Sequence, residues 1–139
     1  MTKFESSLKD YKEALNRLKE VLSLPEKNDI IRDSTIQRFE IVFDLAWKTL
    51  KAFLEEKQGI RCAAPKSCFR EAYSQGFLKY DEFWLAITDL RNETAHTYSM
   101  KKAEEVFEKI PKCFEYFDVL LKIFEGEVTP VKYKINFTG

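Results

Sequence analysis

The chain has 139 residues, of which 45% are hydrophobic, and only four are glycine and four proline. This length and composition predict one domain with a sizeable core and exclude a disordered chain. The 23 basic residues balance the 23 acidic residues, so no bulk charge attracts the protein to nucleic acid or to a membrane surface. Any contact with RNA must therefore be local.

Two features of the sequence bear on where the protein works. No window approaches about 18 consecutive apolar residues, and the first residues lack the apolar segment of a signal peptide. The three cysteines, Cys62, Cys68 and Cys113, are odd in number and lack CxxC spacing. We therefore expect a cytoplasmic protein that crosses no membrane and whose cysteines are reduced.

The spacing of apolar residues predicts a series of helices, because side chains recur at alternating steps of three and four. Glycine and proline mark where the helices start and stop. The first expected helix is Phe4 to Leu22, stopped by Pro25, and the second is about Ile30 to Gln58, closed by Gly59. The third runs from Pro65 to just before Gly76, and the last from Ala103 to Phe124. The fourth is capped by Asp81 and has Phe83, Ile87, Leu90 and Thr94 inward. Pro111 lies inside the last helix, where we expect a kink or a break.

The second predicted helix has apolar residues on two flanks. One flank runs from Ile36 to Leu54, and a second contains Ile41, Leu45 and Ala52. A narrow polar strip separates them. Carboxylates on such a strip ordinarily face solvent and pair with a basic residue four positions away, as Asp44 can with Lys48. Two apolar flanks indicate either a central bundle helix or a helix with one flank in a homodimer interface.

The last residues follow a different pattern. After Gly126, apolar residues alternate with lysine, asparagine and threonine, a period of two that is typical of extended chain. Since no other segment predicts a strand, we expect a tail that lies on the bundle or on a partner. The predicted fold is therefore an all-α, antiparallel up-and-down bundle of four to five helices in residues 1–125, followed by an extended tail in residues 126–139.

Most familiar catalytic and cofactor motifs are missing from the sequence. It contains no GxxxxGK[ST], GxGxxG, HExxH or GxSxG. A single histidine and no paired cysteines make a zinc site improbable. We expect neither a metal nor an organic cofactor.

The segment RNETAHTY, residues 91–98, contains the one histidine of the chain. Arg91 should be partly buried near the end of the fourth helix, where a guanidinium needs an anion. In a continuous helix His96 would point about 140° away from Arg91. The two converge only if the helix ends between them, and beyond that end His96 and Tyr98 would point to the same side of an extended chain. Spacing alone leaves open whether these residues form a site, a helix cap or part of the core.

RNETAHTY resembles the RxxxxHxY motif of HEPN domains in their HepT-like form. The segment RDSTIQRFEIVFDLAWKTLK, residues 32–51, resembles the same family, which is also called nucleotidyltransferase substrate-binding proteins. The similarity in length and helix order extends to about Glu125. The short motif is weakly specific by itself, and its combination with the second segment is strong.

The resemblance implies a homodimeric, metal-independent ribonuclease toxin that is encoded beside a minimal nucleotidyltransferase. Arg91 and His96 would be the catalytic pair and Asn92 a polar helper. The nucleotidyltransferase, acting as antitoxin, would silence the ribonuclease by transferring AMP to Tyr98. A twofold interface would bring two copies of His96 together and so provide both the acid and the base that RNA cleavage needs.

Two other functions remain open at this point. The protein is alternatively a non-catalytic subunit that binds the nucleotidyltransferase, which agrees with its zero net charge. In a third interpretation Arg91, Asn92 and His96 form a hydrogen-bond network that only joins helices.

Overall fold

The computed structural model describes residues 1–96 and 99–128. Within these ranges the chain is helical and forms no strand. The helices are α1 (Lys3–Leu22), α2 (Asp29–Gln58), α3 (Pro65–Ser74), α4 (Phe83–Glu93) and α5 (Met100–Val128), and a single 3₁₀ turn, Thr94–His96, follows α4. The predicted all-α bundle is therefore confirmed.

The predicted helix ends are confirmed at three places. Gly59 closes α2 with a φ of 68°, a left-handed conformation that glycine adopts without steric cost. Pro65 is the first residue of α3, where its missing amide proton is not needed. The Asp81 carboxylate accepts a hydrogen bond from the Phe83 amide at 2.9 Å and so caps the start of α4.

Aromatic side chains fill the core between α1, α2 and α5. The largest fully buried members are Tyr11, Phe4, Phe39, Phe43, Phe53, Phe69, Phe117 and Phe124. The Tyr11 hydroxyl donates a hydrogen bond to the Phe117 carbonyl at 2.6 Å, which satisfies its one polar group. Burial raises the pKa of Tyr11 well above its usual value, because an ionised phenol in the core would lose its hydration.

The second helix lies at the centre of the bundle. It packs against α1, α3, α4 and α5, so neighbours cover most of its two apolar flanks. Ala52 on the second flank is buried, Leu45 is partly buried, and Ile41 remains 47% exposed. The central position accounts for the two-flanked pattern. A dimer interface on the exposed part of the second flank stays a prediction.

The fifth helix is longer and more regular than the sequence indicated. It continues through Pro111 without a break. Ile110, which precedes this proline, and Cys113, two residues after it, are buried, so packing offsets the hydrogen bond that the proline lacks. Gly126 also lies within the helix, at a cost of about 1 kcal/mol relative to alanine. The alternating pattern in residues 131–138 lies outside the described residues.

The expectation of three reduced cysteines is wrong for two of them. Cys62 precedes α3 and Cys68 lies within it, and the fold brings their Cα atoms to 5.2 Å, where the two sulfurs form a disulfide. A spacing of five intervening residues is not a recognised paired pattern, so no sequence signal pointed to this bond. Cys113 is a free thiol, and burial raises its pKa to about 12.

No described helix combines the length and the apolar composition that crossing a bilayer requires.

Candidate functional site

Arg91 and His96 lie on either side of the end of α4. The helix ends at Glu93, and the 3₁₀ turn Thr94–His96 follows directly. The sequence required such an end for the two residues to converge, because a continuous helix would turn them apart. The structure therefore meets this condition, and the roles of the two residues are a matter for experiment.

The Arg91 guanidinium is held by carboxylates of its own chain. Its Nε and Nη2 donate to the two carboxylate oxygens of Asp44, each at 3.1 Å. Its Nη1 donates to Glu40 Oε2 at 2.9 Å and to Thr94 Oγ1 at 3.0 Å. These bonds join α4 to α2 across 47 and 51 residues of sequence. The partly buried arginine thus finds its expected anion within the fold.

Thr94 links the arginine and the turn to Glu40. Its hydroxyl lies 2.8 Å from Glu40 Oε2 and 2.6 Å from the Arg91 carbonyl oxygen, while it accepts from the guanidinium. Since a hydroxyl has one proton, the charged carboxylate is the stronger of its two acceptors. The side chain of Thr94 is buried, so this junction fixes the start of the turn against α2.

These contacts change the electrostatics of the arginine. The pKa of Arg91 is raised above its usual value, chiefly by the hydrogen bonds to Asp44, and burial opposes the rise. The carboxylates of Asp44 and Glu40 are 41% and 30% exposed, so water still reaches this cluster. The guanidinium therefore remains charged throughout the accessible pH range.

A second arginine, Arg32, lies near the start of α2. It donates to Asp33 at 3.0 Å, and to Asp29 and Glu104 at 3.3 Å. The pKa of Arg32 is also raised, first by its hydrogen bond to Asp33. Arg32 links α2 to the first turns of α5 through Glu104.

A groove of about 340 Å³ lies between the two arginine clusters. Its lining combines polar residues of α2 with residues that flank the turn, among them Arg32, Gln37, Glu40, Thr94 and Ser99. Its volume is at the lower end of the range for ligand sites. Glu40 and Thr94 both line this groove and contact Arg91.

The other residues predicted from the sequence have different surroundings. Asn92 and His96 are exposed at the end of α4 and in the turn. Tyr98 lies outside the described residues. The described structure thus brings Arg91 and His96 to one end of α4, while the site itself stays a prediction.

Sequence reasoning missed Glu40 and Asp44. Both were placed on the polar strip of α2 as part of a solvated face, with Asp44 paired to Lys48. The available signal was their position: two carboxylates four residues apart lie on one side of a helix, where they can share one cation.

Among the described residues no group of three His, Cys, Asp or Glu side chains is arranged to hold a metal ion. The side chains present at this site offer proton transfer by His96 or a carboxylate, together with hydrogen bonding from Arg91.

Known proteins resemble this chain in sequence and in fold. Residues 6–125 match the family described as nucleotidyltransferase substrate binding protein like. A Haemophilus influenzae protein (strain ATCC 51907 / DSM 11121 / KW20 / Rd) named probable ribonuclease HepT is 34% identical over 86 residues, which are 59% of this chain and 59% of that protein. The chain thus matches about three fifths of the length of this curated relative.

Two solved structures share the fold. The crystal structure of a Thermus thermophilus protein has a TM-score of 0.72 and 35% identity, covering 84% of this chain and 97% of that one. A second, from Haemophilus influenzae, is described as the fold of a substrate binding domain of a nucleotidyltransferase. It has a TM-score of 0.62 and 24% identity, covers 88% of this chain and 96% of that one, and supports the fold alone. Because the family model matches 120 of the 139 residues (6–125), the chain belongs to the nucleotidyltransferase substrate binding protein like family.

Proposed function

We propose that this protein is a metal-independent ribonuclease in which Arg91 and His96 are the catalytic pair and Asn92 is a polar helper. The observation that carries the proposal is the end of α4 between Arg91 and His96, which is the condition that the sequence set for the two residues to converge. The RxxxxHxY motif and the similarity to a probable ribonuclease support it.

The residue types suit RNA cleavage without a metal. The reaction deprotonates a 2′-hydroxyl, stabilises a phosphorane and protonates the leaving 5′-oxygen. A histidine side chain exchanges protons near neutral pH, as His96 would do here. A guanidinium can donate a hydrogen bond to a phosphate oxygen as negative charge builds, which is the role of Arg91.

The contacts of Arg91 define how it would meet a phosphate. A guanidinium has five N–H donors, and four are used by Asp44, Glu40 and Thr94. The remaining Nη2 proton would donate to the phosphate. The carboxylates hold the guanidinium plane fixed, so little side-chain entropy is lost when RNA binds. Their negative charge keeps the affinity for RNA low, in accord with the zero net charge of the chain.

The proposed active form is a homodimer. Ile41 on α2 is 47% exposed, and an exposed apolar residue beside partly buried Leu45 is suited to a self-complementary contact. Pairing two chains across this flank would place two copies of the site in one assembly. The dimer would then engage RNA through two arginines instead of one.

The proposed regulation uses a minimal nucleotidyltransferase as antitoxin, in the cytoplasm. It would transfer AMP to Tyr98, two residues after His96, and thereby add bulk and negative charge beside the RNA site. The family assignment supports a nucleotidyltransferase partner. AMP on Tyr98 would block RNA by occupancy and by repulsion of its phosphates.

The direct test is cleavage of labelled single-stranded RNA in the presence of EDTA. Wild type should cleave, and His96→Ala should lose activity by roughly 100-fold or more. Arg38→Ala, on the opposite side of α2 near α1, is the matched control for Arg91→Ala and should cleave like wild type. Equal cleavage by wild type and His96→Ala would contradict the catalytic assignment, provided that thermal unfolding shows both to be folded.

One observation favours a second function, that of a non-catalytic subunit bound to the nucleotidyltransferase. Arg91 is already paired with carboxylates of its own chain, as a purely structural arginine would be. Incubation with the neighbouring enzyme, ATP and Mg²⁺ and then weighing of the intact chain separates the two functions. A gain of one AMP that disappears in Tyr98→Phe supports the toxin and antitoxin mechanism, whereas complex formation without AMP transfer or cleavage supports plain binding.

A further inference from the structure

RNA cleavage needs both a proton acceptor and a proton donor, and each chain has one histidine. A second histidine from a partner copy is one source of the missing group. The described structure contains another source within the chain. We propose that Glu40 is the catalytic general base and that His96 of the same chain is the general acid. This inference rests on the proposed ribonuclease function.

The hydrogen bonds of Glu40 use one of its two carboxylate oxygens and leave the other available for proton transfer. Its Oε2 atom accepts from Arg91 Nη1 at 2.9 Å and lies 2.8 Å from Thr94 Oγ1. The Oε1 atom takes no hydrogen bond from residues 1–96 or 99–128. One oxygen thus fixes the carboxylate in place, and the other is left to accept a proton.

The position of Glu40 gives a substrate access to that oxygen. The side chain is 30% exposed and lines the groove of about 340 Å³ beside the turn. His96 follows Thr94 by two residues in the same 3₁₀ turn, a rise of about 4 Å. The carboxylate that is bonded to Thr94 and the histidine therefore belong to one small region at the end of α4.

The neighbouring carboxylates are less suited to this role. Asp44 uses both of its oxygens on Arg91, so it has no oxygen outside that pair. Asp33 lines the groove but pairs with Arg32 and is 67% exposed. Glu40 is the one carboxylate of the described groove lining that is also bonded to Arg91.

The reaction balances with these groups. Glu40 takes the proton of the ribose 2′-hydroxyl as the 2′-oxygen forms a bond to phosphorus. The bond between phosphorus and the 5′-oxygen breaks, and protonated His96 gives its proton to that oxygen. The products are a 2′,3′-cyclic phosphate and a 5′-hydroxyl, and exchange with water returns Glu40 and His96 to their starting forms. Arg91 donates to the phosphate oxygens throughout.

The identity of the base determines how cleavage depends on pH. A carboxylate base fails only in the range where glutamate side chains take up protons, about pH 4, whereas a second histidine fails below about pH 6.5. The charged groups that surround Glu40 are Arg91 on α4, Arg32, Asp33 and Asp44 on α2, and Glu104 on α5, which pairs with Arg32. A glutamate base with a histidine acid predicts that cleavage stays fast below about pH 6.5, in the range where a histidine base would become protonated.

The test measures kcat/KM for labelled single-stranded RNA from about pH 4 to 8. Wild type should keep its rate from about pH 6.5 down to 5, and Glu40→Gln should lose roughly 100-fold or more and show no acidic limb. Asp44→Asn loosens Arg91 but keeps Glu40, so a slower enzyme that retains an acidic limb is expected. Glu20→Gln, on the surface of α1, should match wild type.

Two results would overturn the inference. One is a wild-type rate that falls steadily below about pH 6.5, which indicates a histidine base whether or not Glu40→Gln is slow. The other is a Glu40→Gln enzyme within about threefold of wild type at every pH, well below the loss of a general base. Failure of the proposed function looks different, because wild type and His96→Ala would then have equal activity at all pH values.

Discussion

Arg32 and Arg91 are both held by carboxylates, but the two clusters differ in where those carboxylates come from. Arg32 pairs mainly within its own turn of helix, with Asp29 and Asp33, and its partners are 52% to 68% exposed. Arg91 pairs with Glu40 and Asp44 of another helix, and these are 30% and 41% exposed. Exposed, local ion pairs contribute little to stability, whereas less exposed pairs between distant segments fix tertiary structure.

The burial of an arginine alone does not reveal its role. The Arg32 side chain is 8% exposed and that of Arg91 is 25% exposed, yet more of the ion pairs of Arg91 join different helices. Arg91 also shares its partner Glu40 with Thr94, the first residue of the turn that contains His96. The Arg91 cluster therefore connects stability to the proposed site, whereas the Arg32 cluster only lines the groove beside it.

Replacing each arginine with alanine should give the largest difference in stability between the two clusters. Arg91→Ala leaves Glu40 and Asp44 without their partner and should lower the free energy of unfolding by about 2 to 3 kcal/mol. Arg32→Ala should have a smaller effect, because water readily solvates Asp29 and Asp33. Urea unfolding of the three proteins measures the difference. Equal losses in the two variants would remove the distinction between the clusters.

Two buried threonines give the next contrast. The Thr94 hydroxyl joins two helices, and Thr94→Val should cost about 1 to 2 kcal/mol. The Thr35 hydroxyl donates to the Ile31 carbonyl of its own helix at 2.7 Å, so Thr35→Val should cost much less. Thr94→Ser keeps the hydroxyl and should recover most of the loss. A costly Thr35→Val would show that helix position, not the contact between helices, sets the effect.

Alkaline pH separates the ion pairs from the buried tyrosine. The pKa values of both arginines are raised, so neither cluster loses its charge below about pH 12. The pKa of Tyr11 is raised by burial, while an unfolded tyrosine ionises near pH 10. The stabilisation that comes with this shift is complete below about pH 10 and decreases as the pH rises above it.

Tyr11→Phe should therefore cost about 1 kcal/mol at neutral pH, through the lost hydrogen bond to Phe117. It should also flatten the decline in stability between about pH 10 and 11, as followed by thermal unfolding. An unchanged decline in the variant would assign the alkaline loss to other groups, such as Tyr73, whose pKa burial raises to about 12.

The smallest expected effect has the opposite sign. The Thr49 hydroxyl is buried in α2 and has no hydrogen-bond partner in the described part of the chain, unlike that of Thr94. Thr49→Val replaces it with a methyl group of similar size and should raise the free energy of unfolding by roughly 0.5 to 1 kcal/mol. A loss of stability in this variant would show that Thr49 does satisfy its hydroxyl in solution.

Much of the fold follows from the sequence, because helix starts, ends and buried faces are local properties. Gly59 and Pro65 set helix boundaries by their own backbone preferences. The apolar spacing indicated two buried flanks on α2 but left a central helix and a dimer interface as alternatives. Packing against the core decided the course of α5 through Pro111, which local preference alone would have interrupted.

The sequence alone did not predict the partners of Arg91 or the disulfide. Periodicity identifies the face of a helix on which Glu40 and Asp44 lie, but not which distant side chain meets that face. The Cys62 and Cys68 pair likewise depends on how the segment before α3 approaches the helix. The motif found Arg91 and His96, while the carboxylates beside them emerged only from the tertiary structure.

The most direct measurement compares RNA cleavage by Arg91→Lys and Arg32→Lys with that of wild type. Each variant keeps a positive charge among the same carboxylates, so both should stay folded, but lysine cannot bind the carboxylates as arginine does and also hold an N–H donor fixed toward the phosphate. Arg91→Lys should lose roughly 100-fold or more in kcat/KM, and Arg32→Lys should lose much less, because Arg32 lines the groove without contacting Glu40. Cleavage by Arg91→Lys at the wild-type rate would contradict the central claim that Arg91 acts on the phosphate.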